Sequence, residues 1–190
     1  GRNILRPFFF FFMKKMKYDI ILEDETIQIV PLKESDFEIL YSVAKDPLIW
    51  AQHPNPNRYK KEIFEVYFKG AIESKSAFLV FDKKQNIPIG SSRFYDLNLE
   101  KKSMSIGYTF IARSHWGGKY NTALKTIMLT YAFKFVDSVI FHIGANNIRS
   151  QTSIQRLGAK KIGEELMSYY GEEKKLNYLF QIEKKDWERG

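Results

Sequence analysis

The chain has 190 residues, no cysteine and a formal net charge of +8. One domain fits that length; the missing cysteines exclude disulfide scaffolds, zinc ribbons and thiol catalysis, and three scattered histidines (His53, His115, His142) are too few for a metal site. With 44% hydrophobic and 16% aromatic residues there is material for a real core, which excludes a disordered chain.

The charge is unevenly spread. Residues 1–17 carry Arg2, Arg6, Lys14, Lys15 and Lys17 without an acid, leaving a net +3 for residues 18–190. The body is thus only mildly basic and has no basic stripe interleaved with aromatics, which argues against nucleic acid as a partner. Residues 8–12 are five consecutive phenylalanines, followed after Met13 by a basic flank. A signal peptide has the opposite order and a small-residue cleavage site, and spanning a bilayer takes about 20 apolar residues. We read 1–17 as a leader or tail and 18–190 as a single domain of a cytoplasmic protein without a membrane partner. An aromatic membrane-touching anchor is the second reading of this segment.

In chain order, residues 25–32 alternate apolar and polar as a strand does. Residues 34–46 place Phe37, Leu40, Tyr41 and Ala44 at helical spacing, and Pro47, Pro54 and Pro56 make 46–57 a loop. A second helix is expected over 58–73, with Ile63, Val66, Tyr67 and Ala71 or Ile72 on its apolar face. Strands follow at 77–82, 87–100 and 102–112, the first two joined by a turn at 83–86. A long helix spans 119–136, a strand 138–145 and a short helix 147–158, which ends at Gly158. A hairpin of 159–170 and 175–185 around Gly171 closes the chain, its Lys/Glu run at 160–175 forming a solvated face. The order β-α-α-β-β-β-α-β-α-β-β predicts a mixed α/β (α+β) domain, a largely antiparallel sheet flanked by helices.

Two junctions carry chemistry. Strand 102–112 runs through Arg113-Ser-His115-Trp116-Gly117-Gly118-Lys119-Tyr120-Asn121-Thr122 into the long helix. A strand, a glycine turn and a helix start present unpaired N–H groups at the positive end of a helix dipole, which suits phosphate oxygens. The plain alternative is a loop with Asn121 as helix cap and His115 as a surface histidine. The second junction is Asn147-Ile-Arg-Ser150 followed by Leu157-Gly158-Ala159, again a polar helix start directly after a strand. There the plain alternative is capping by Asn146 or Asn147.

The element order and these two motifs resemble the GNAT superfamily of acetyl-CoA-dependent N-acetyltransferases, in the branch of the ribosomal-protein acetylases RimJ and RimL, over about residues 25–183. The resemblance implies that Trp116, Gly117, Gly118, Lys119, Tyr120, Asn121 and Thr122 cradle the pyrophosphate of coenzyme A. It implies a splayed strand whose Thr109, Phe110 and Ile111 meet the pantetheine arm, with Asn147 and Ser150 near the sulfur. Two positions depart from the branch's pattern: Lys119 stands where a second glycine is usual and Asn121 where a small residue is. Either Gly118 takes the glycine role after a one-residue shift, or the cradle is weakened.

The reaction implied is direct transfer of an acetyl group to a primary amine, a protein N-terminus or a small amine, in a ternary complex without metal. It needs a base for the amine, stabilisation of the carbonyl oxygen and an acid for the departing thiolate. A backbone N–H near Phe110 is suited to polarising the carbonyl. Residues 150–156 lack the tyrosine many members use as acid, so Ser150 is the candidate, with capping or pantetheine binding as its other reading. Asp96 and Glu100 are candidate bases, and Arg93 supports the sheet. Trp50, His53, Tyr59, Tyr67, Tyr95, Tyr169 and Tyr170 are available for the acceptor site. The alternative function is a catalytically degenerate fold that binds coenzyme A or a partner, and the edge of the last hairpin is a candidate homodimer surface.

Overall fold

The Asp24 carboxylate accepts from the N–H groups of Thr26 and Ile27 at 2.7 and 2.8 Å. This turn separates a two-residue strand, β1 (Leu22–Glu23), from β2 (Ile27–Pro31). The computed structural model describes residues 15–168 and 173–190; most of the 1–17 leader, and Tyr169, Tyr170 and Gly171, lie outside them. Met16 is buried, and Lys17 exchanges two backbone hydrogen bonds with the Tyr131 hydroxyl.

After α1 (Phe37–Ala44) the chain enters α2 (Lys61–Ser74), β3 (Ala77–Asp82), β4 (Ile87–Asn98) and β5 (Ser103–Ile111). Then come α3 (Lys119–Ala132), β6 (Ser138–Gly144), α4 (Ile148–Arg156), β7 (Lys160–Met167), β8 (Lys175–Glu183) and a one-turn α5 (Lys184–Trp187). They build one eight-stranded sheet in the order β1-β2-β3-β4-β5-β6-β8-β7. Every neighbouring pair is antiparallel except β5 and β6, which are parallel. The expected mixed, largely antiparallel fold is the one found. Besides short 3-10 turns, β1 and α5, each shorter than a sequence period can reveal, are added among the described residues.

Alternation within the strands feeds two layers. Phe78, Val80, Ile89, Phe94, Met104 and Ile106 face α3, meeting Leu124, Met128, Leu129 and Ala132. Leu79 and Phe110 face the other way and pack with Leu40, Trp50, Phe64, Tyr67 and Phe68. Each such side chain contributes about 1.5–3 kcal/mol by leaving water. Trp50 is buried without cost to its N–H, which donates to the Ala44 carbonyl at 2.8 Å.

The expected phase of α2 needs correction. Its buried face is Phe64, Tyr67, Phe68 and Ala71, and Val66 is 52% exposed. The aromatic side chains bury more area than Ile63 and Val66, so the helix turns them inward. The long helix also differs at both ends. Gly118, in extended conformation, is the N-cap in place of Asn121, and regular helix stops at Ala132, where a turn takes residues 133–136. The expected loop 46–57 contains a short 3-10 turn, Pro47–Ile49, capped by the Asp46 carboxylate. β7 is the exposed sheet edge, with Ile162 and Leu166 on it 51% and 63% accessible.

Candidate active site

β5 and β6 pair only from Ser103–Ser105 to Ser138–Ile140, then part. Two features drive them apart. Tyr108 has φ +53°, and the β4–β5 register shifts between Ser91 and Arg93, so β5 bulges toward the gap. β6 meanwhile follows β8 along its whole length to Gly144. Gly144 allows Pro54 to lie on the end of β6, because a Cβ there would run into the proline ring.

The opened edge leads to the start of α3. Gly117 has φ +69°, the left-handed region glycine occupies freely. A Cβ at Gly117 or Gly118 would meet nothing within 4 Å. Open space therefore lies before a helix N-terminus whose first amides have no intrahelical acceptor. Lys119 does not fill it: its side chain is exposed, with Nζ 5.7 Å from the centre of the Tyr120 ring. The donor set fits a phosphate-bearing ligand.

His115, expected at the surface, is buried. Its Nε2 meets Asp82 Oδ2 at 3.0 Å and its Nδ1 meets Ser114 Oγ at 2.8 Å. The Tyr120 hydroxyl donates to the same Asp82 oxygen at 3.0 Å. Burial by itself would raise the Asp82 carboxyl, but the His115 hydrogen bond, with others from Tyr120 and the backbone, holds it below the usual range. A strand residue thus clamps both sides of the glycine turn. The Trp116 indole donates to the Ile111 carbonyl at 2.7 Å, and the Arg149 guanidinium lies 3.3 Å from the centre of its ring.

Thr109, Phe110, Ile111, Trp116, Gly117, Asn121, Asn147 and Ser150 line one cleft between the parted strands, α3 and α4. Asn121 and Ser153 join the two helices, the amide donating at 2.7 Å. Asn147 caps α4 by accepting from the Ser150 N–H at 3.3 Å. Losing that cap in Asn147→Ala should cost about 1 kcal/mol, a fall of roughly 2–4 °C in Tm in a thermal melt.

Gly118, Lys119, Tyr120 and Thr122 are not in that lining; Gly118 and Lys119, which follow the lining residue Gly117 in the chain, and Thr122 are exposed. Asp96 and Glu100 are exposed at the far end of the β4–β5 hairpin, also outside the lining. Arg93 is buried, 3.7 Å from the centre of the Tyr108 ring.

Among the lining residues that sequence reasoning missed are three basic ones, Lys125, His142 and Arg149. Lys125 is only 9% exposed and donates to Thr109 Oγ1 at 2.8 Å. Burial pulls its ammonium down to about 7. A lysine next to Leu124 on the apolar side of α3 is the signal that could have found it. His142 Nδ1 lies 2.7 Å from the Tyr95 hydroxyl. Burial lowers its affinity for a proton, against the opposing charges of Glu165 and Asp96, so the ring is neutral at pH 7.

A sheet parted at its parallel pair, with a glycine-capped helix at the head of the gap, is the architecture of coenzyme A-dependent acyltransferases. The chain belongs to the GNAT acetyltransferase family, which uses acetyl-CoA: residues 26–160 match the sequence profile of the Acetyltransferase (GNAT) domain.

Among solved structures, a GCN5-related N-acetyltransferase from Brucella melitensis shares 15% identity over 90% of this chain and 81% of its own, with a TM-score of 0.75. The spermidine N-acetyltransferase of Vibrio cholerae, solved with CoA and spermine, shares 16% over 86% and 99%, TM-score 0.65. A Vibrio cholerae protein described as a ribosomal-protein-serine acetyltransferase shares 16% over 88% and 99%, TM-score 0.68. These similarities concern the fold. No curated protein sequence matches the chain. Among the described residues no helix is long and apolar enough to cross a membrane.

Proposed function

We propose that this N-acetyltransferase moves the acetyl group directly to a primary amine, in the branch of the ribosomal-protein acetylases, with the cleft between β5 and β6 as its donor site. The observation that carries this reading is the gap itself: β5 leaves β6 beside the open N-terminus of α3, and Thr109, Phe110, Ile111, Asn147 and Ser150 line the space between.

The first amides of α3, with Gly117 and Gly118, hold the pyrophosphate, and the Arg149 guanidinium adds a positive charge at the mouth. The edge of β5 from Thr109 to Ile111 holds the pantetheine arm, and a β5 amide polarises the carbonyl. Positioning supplies much of the acceleration, because a thioester is already reactive. The Ser150 hydroxyl protonates the leaving thiolate.

For the base, His142 is better placed than Asp96 or Glu100. It lines the cleft and is neutral at pH 7, and Asp96 acts on it through its charge. The acceptor approaches from the α2 side, where Tyr67, Tyr95 and Tyr108 surround Arg93 and His142. A polyamine and a protein N-terminus both present the primary amine this chemistry requires.

Calorimetric binding of acetyl-CoA, followed by thiol release with a panel of polyamines and N-terminal peptides, tests this. Binding and turnover with one amine class are expected, with turnover falling about 100-fold in Ser150→Ala at unchanged Tm. Binding with no turnover for any amine would leave the degenerate binding module as the function.

A further inference from the structure

Lys125 has no part in the transfer described above, yet its amine is inside the donor cleft. From Lys119 at the mouth, α3 runs back along β5 for six residues, about 9 Å of helix rise, before it reaches Lys125. There the side chain crosses to the bulged strand and bonds Thr109 Oγ1, which also contacts Ser92 Oγ at 2.8 Å. Its other neighbour is the Phe141 ring, 5.6 Å from Nζ. Burial is the cause that shifts its proton affinity, and among the described residues no carboxylate forms an ion pair with it. An ammonium needed for structure would be paired with an acid. Here the amine is held by a hydroxyl on the stretch of β5 already parted from β6, the stretch to which the proposed donor site assigns the pantetheine arm.

We infer that Lys125 is a self-acetylation site: in the absence of an amine acceptor, its Nζ takes the acetyl group from acetyl-CoA bound in the same cleft. The Nζ lone pair forms the N–C bond to the carbonyl carbon, the C–S bond breaks with its electron pair going to sulfur, and the proton released by the amine converts the thiolate to free coenzyme A thiol. The products are an acetyl-lysine amide and coenzyme A, and no further reactant is consumed. Burial, by pulling the Lys125 ammonium down to about 7, makes the neutral, nucleophilic amine available near pH 7, where a solvated lysine near 10.4 is almost wholly protonated. The added acetyl group occupies the cleft, so the modified protein binds the donor poorly. The device would silence the enzyme when donor is abundant and acceptor absent.

This inference rests on the proposed donor site, and the test separates the two. Purified protein is incubated with acetyl-CoA, with acetyl-CoA plus excess coenzyme A, or with acetyl phosphate, and peptides are mapped by mass spectrometry beside a calorimetric titration with coenzyme A. The expected result is acetylation of Lys125 at least about tenfold faster than of any surface lysine, suppressed by excess coenzyme A and not reproduced by acetyl phosphate. In Lys125→Arg the fast phase should vanish while the slow surface labelling persists. Coenzyme A binding with Lys125 unmodified, or labelled no faster than surface lysines, overturns this inference and leaves the donor site standing. Absence of coenzyme A binding overturns both.

Discussion

Gly118→Val should lower acetyl-CoA affinity by about 100-fold or more while the protein stays folded. Gly118 has φ −133°, extended backbone that any residue adopts, and a Cβ there meets no protein atom within 4 Å. The valine therefore projects into the space before the first turn of α3, where the proposed donor site brings phosphate oxygens to the amides. Excluding one or two charge-assisted hydrogen bonds costs about 3 kcal/mol, or roughly two orders of magnitude in Kd. The fold loses only the difference between glycine and valine as N-cap, about 1 kcal/mol. Gly117→Val is the contrasting variant, because φ +69° strains any β-branched residue and stability falls as well. Calorimetry beside a thermal melt checks both. Undiminished affinity in Gly118→Val would place the phosphates elsewhere.

The second large effect concerns stability and its pH dependence. Lys125 holds its proton to about 7 in the fold against about 10.5 when unfolded. Between those values the unfolded chain binds the additional proton, so the sign of the linkage makes stability rise with pH from about 7 to 10.5. Below 7 the folded protein bears the full cost of the buried charge. Lys125→Met keeps the volume, forfeits one hydrogen bond to Thr109 and removes that cost. The variant should be more stable at pH 6 by on the order of 3 kcal/mol, with the difference shrinking toward pH 10. Urea unfolding of both proteins at pH 6, 8 and 10 measures this. Parallel pH profiles would show that water reaches the ammonium in the folded state. A natural chain that retains so unfavourable a residue in the lining of its candidate cleft fits a chemical use for that amine.

Much of the lining of the candidate cleft was legible because backbone chemistry shapes it. Glycines between a strand and a helix announce left-handed backbone and free amides whatever surrounds them, and Asn147 announces a cap. The same local reasoning failed at His115. Nothing near it in sequence shows that Asp82, 33 residues earlier, would stand opposite its ring. It failed also at Asn121, whose amide is used across to Ser153 on another helix, leaving the cap to Gly118. The phase of α2 was misjudged because Ile63 and Val66 are apolar enough to suggest a face, while the aromatic surface of Trp50 and Phe110 that selects the real one comes from distant segments.

The sequence by itself determined the element order, the antiparallel character of the sheet and the glycine turn that opens α3, because periodicity, glycine and capping residues act within a few positions of themselves. Only the tertiary structure decided which charged groups enter the cleft. Lys125 and His142 are an ordinary lysine and histidine until a helix and two parting strands remove them from water. The desolvation that tunes them depends on neighbours far away in the chain.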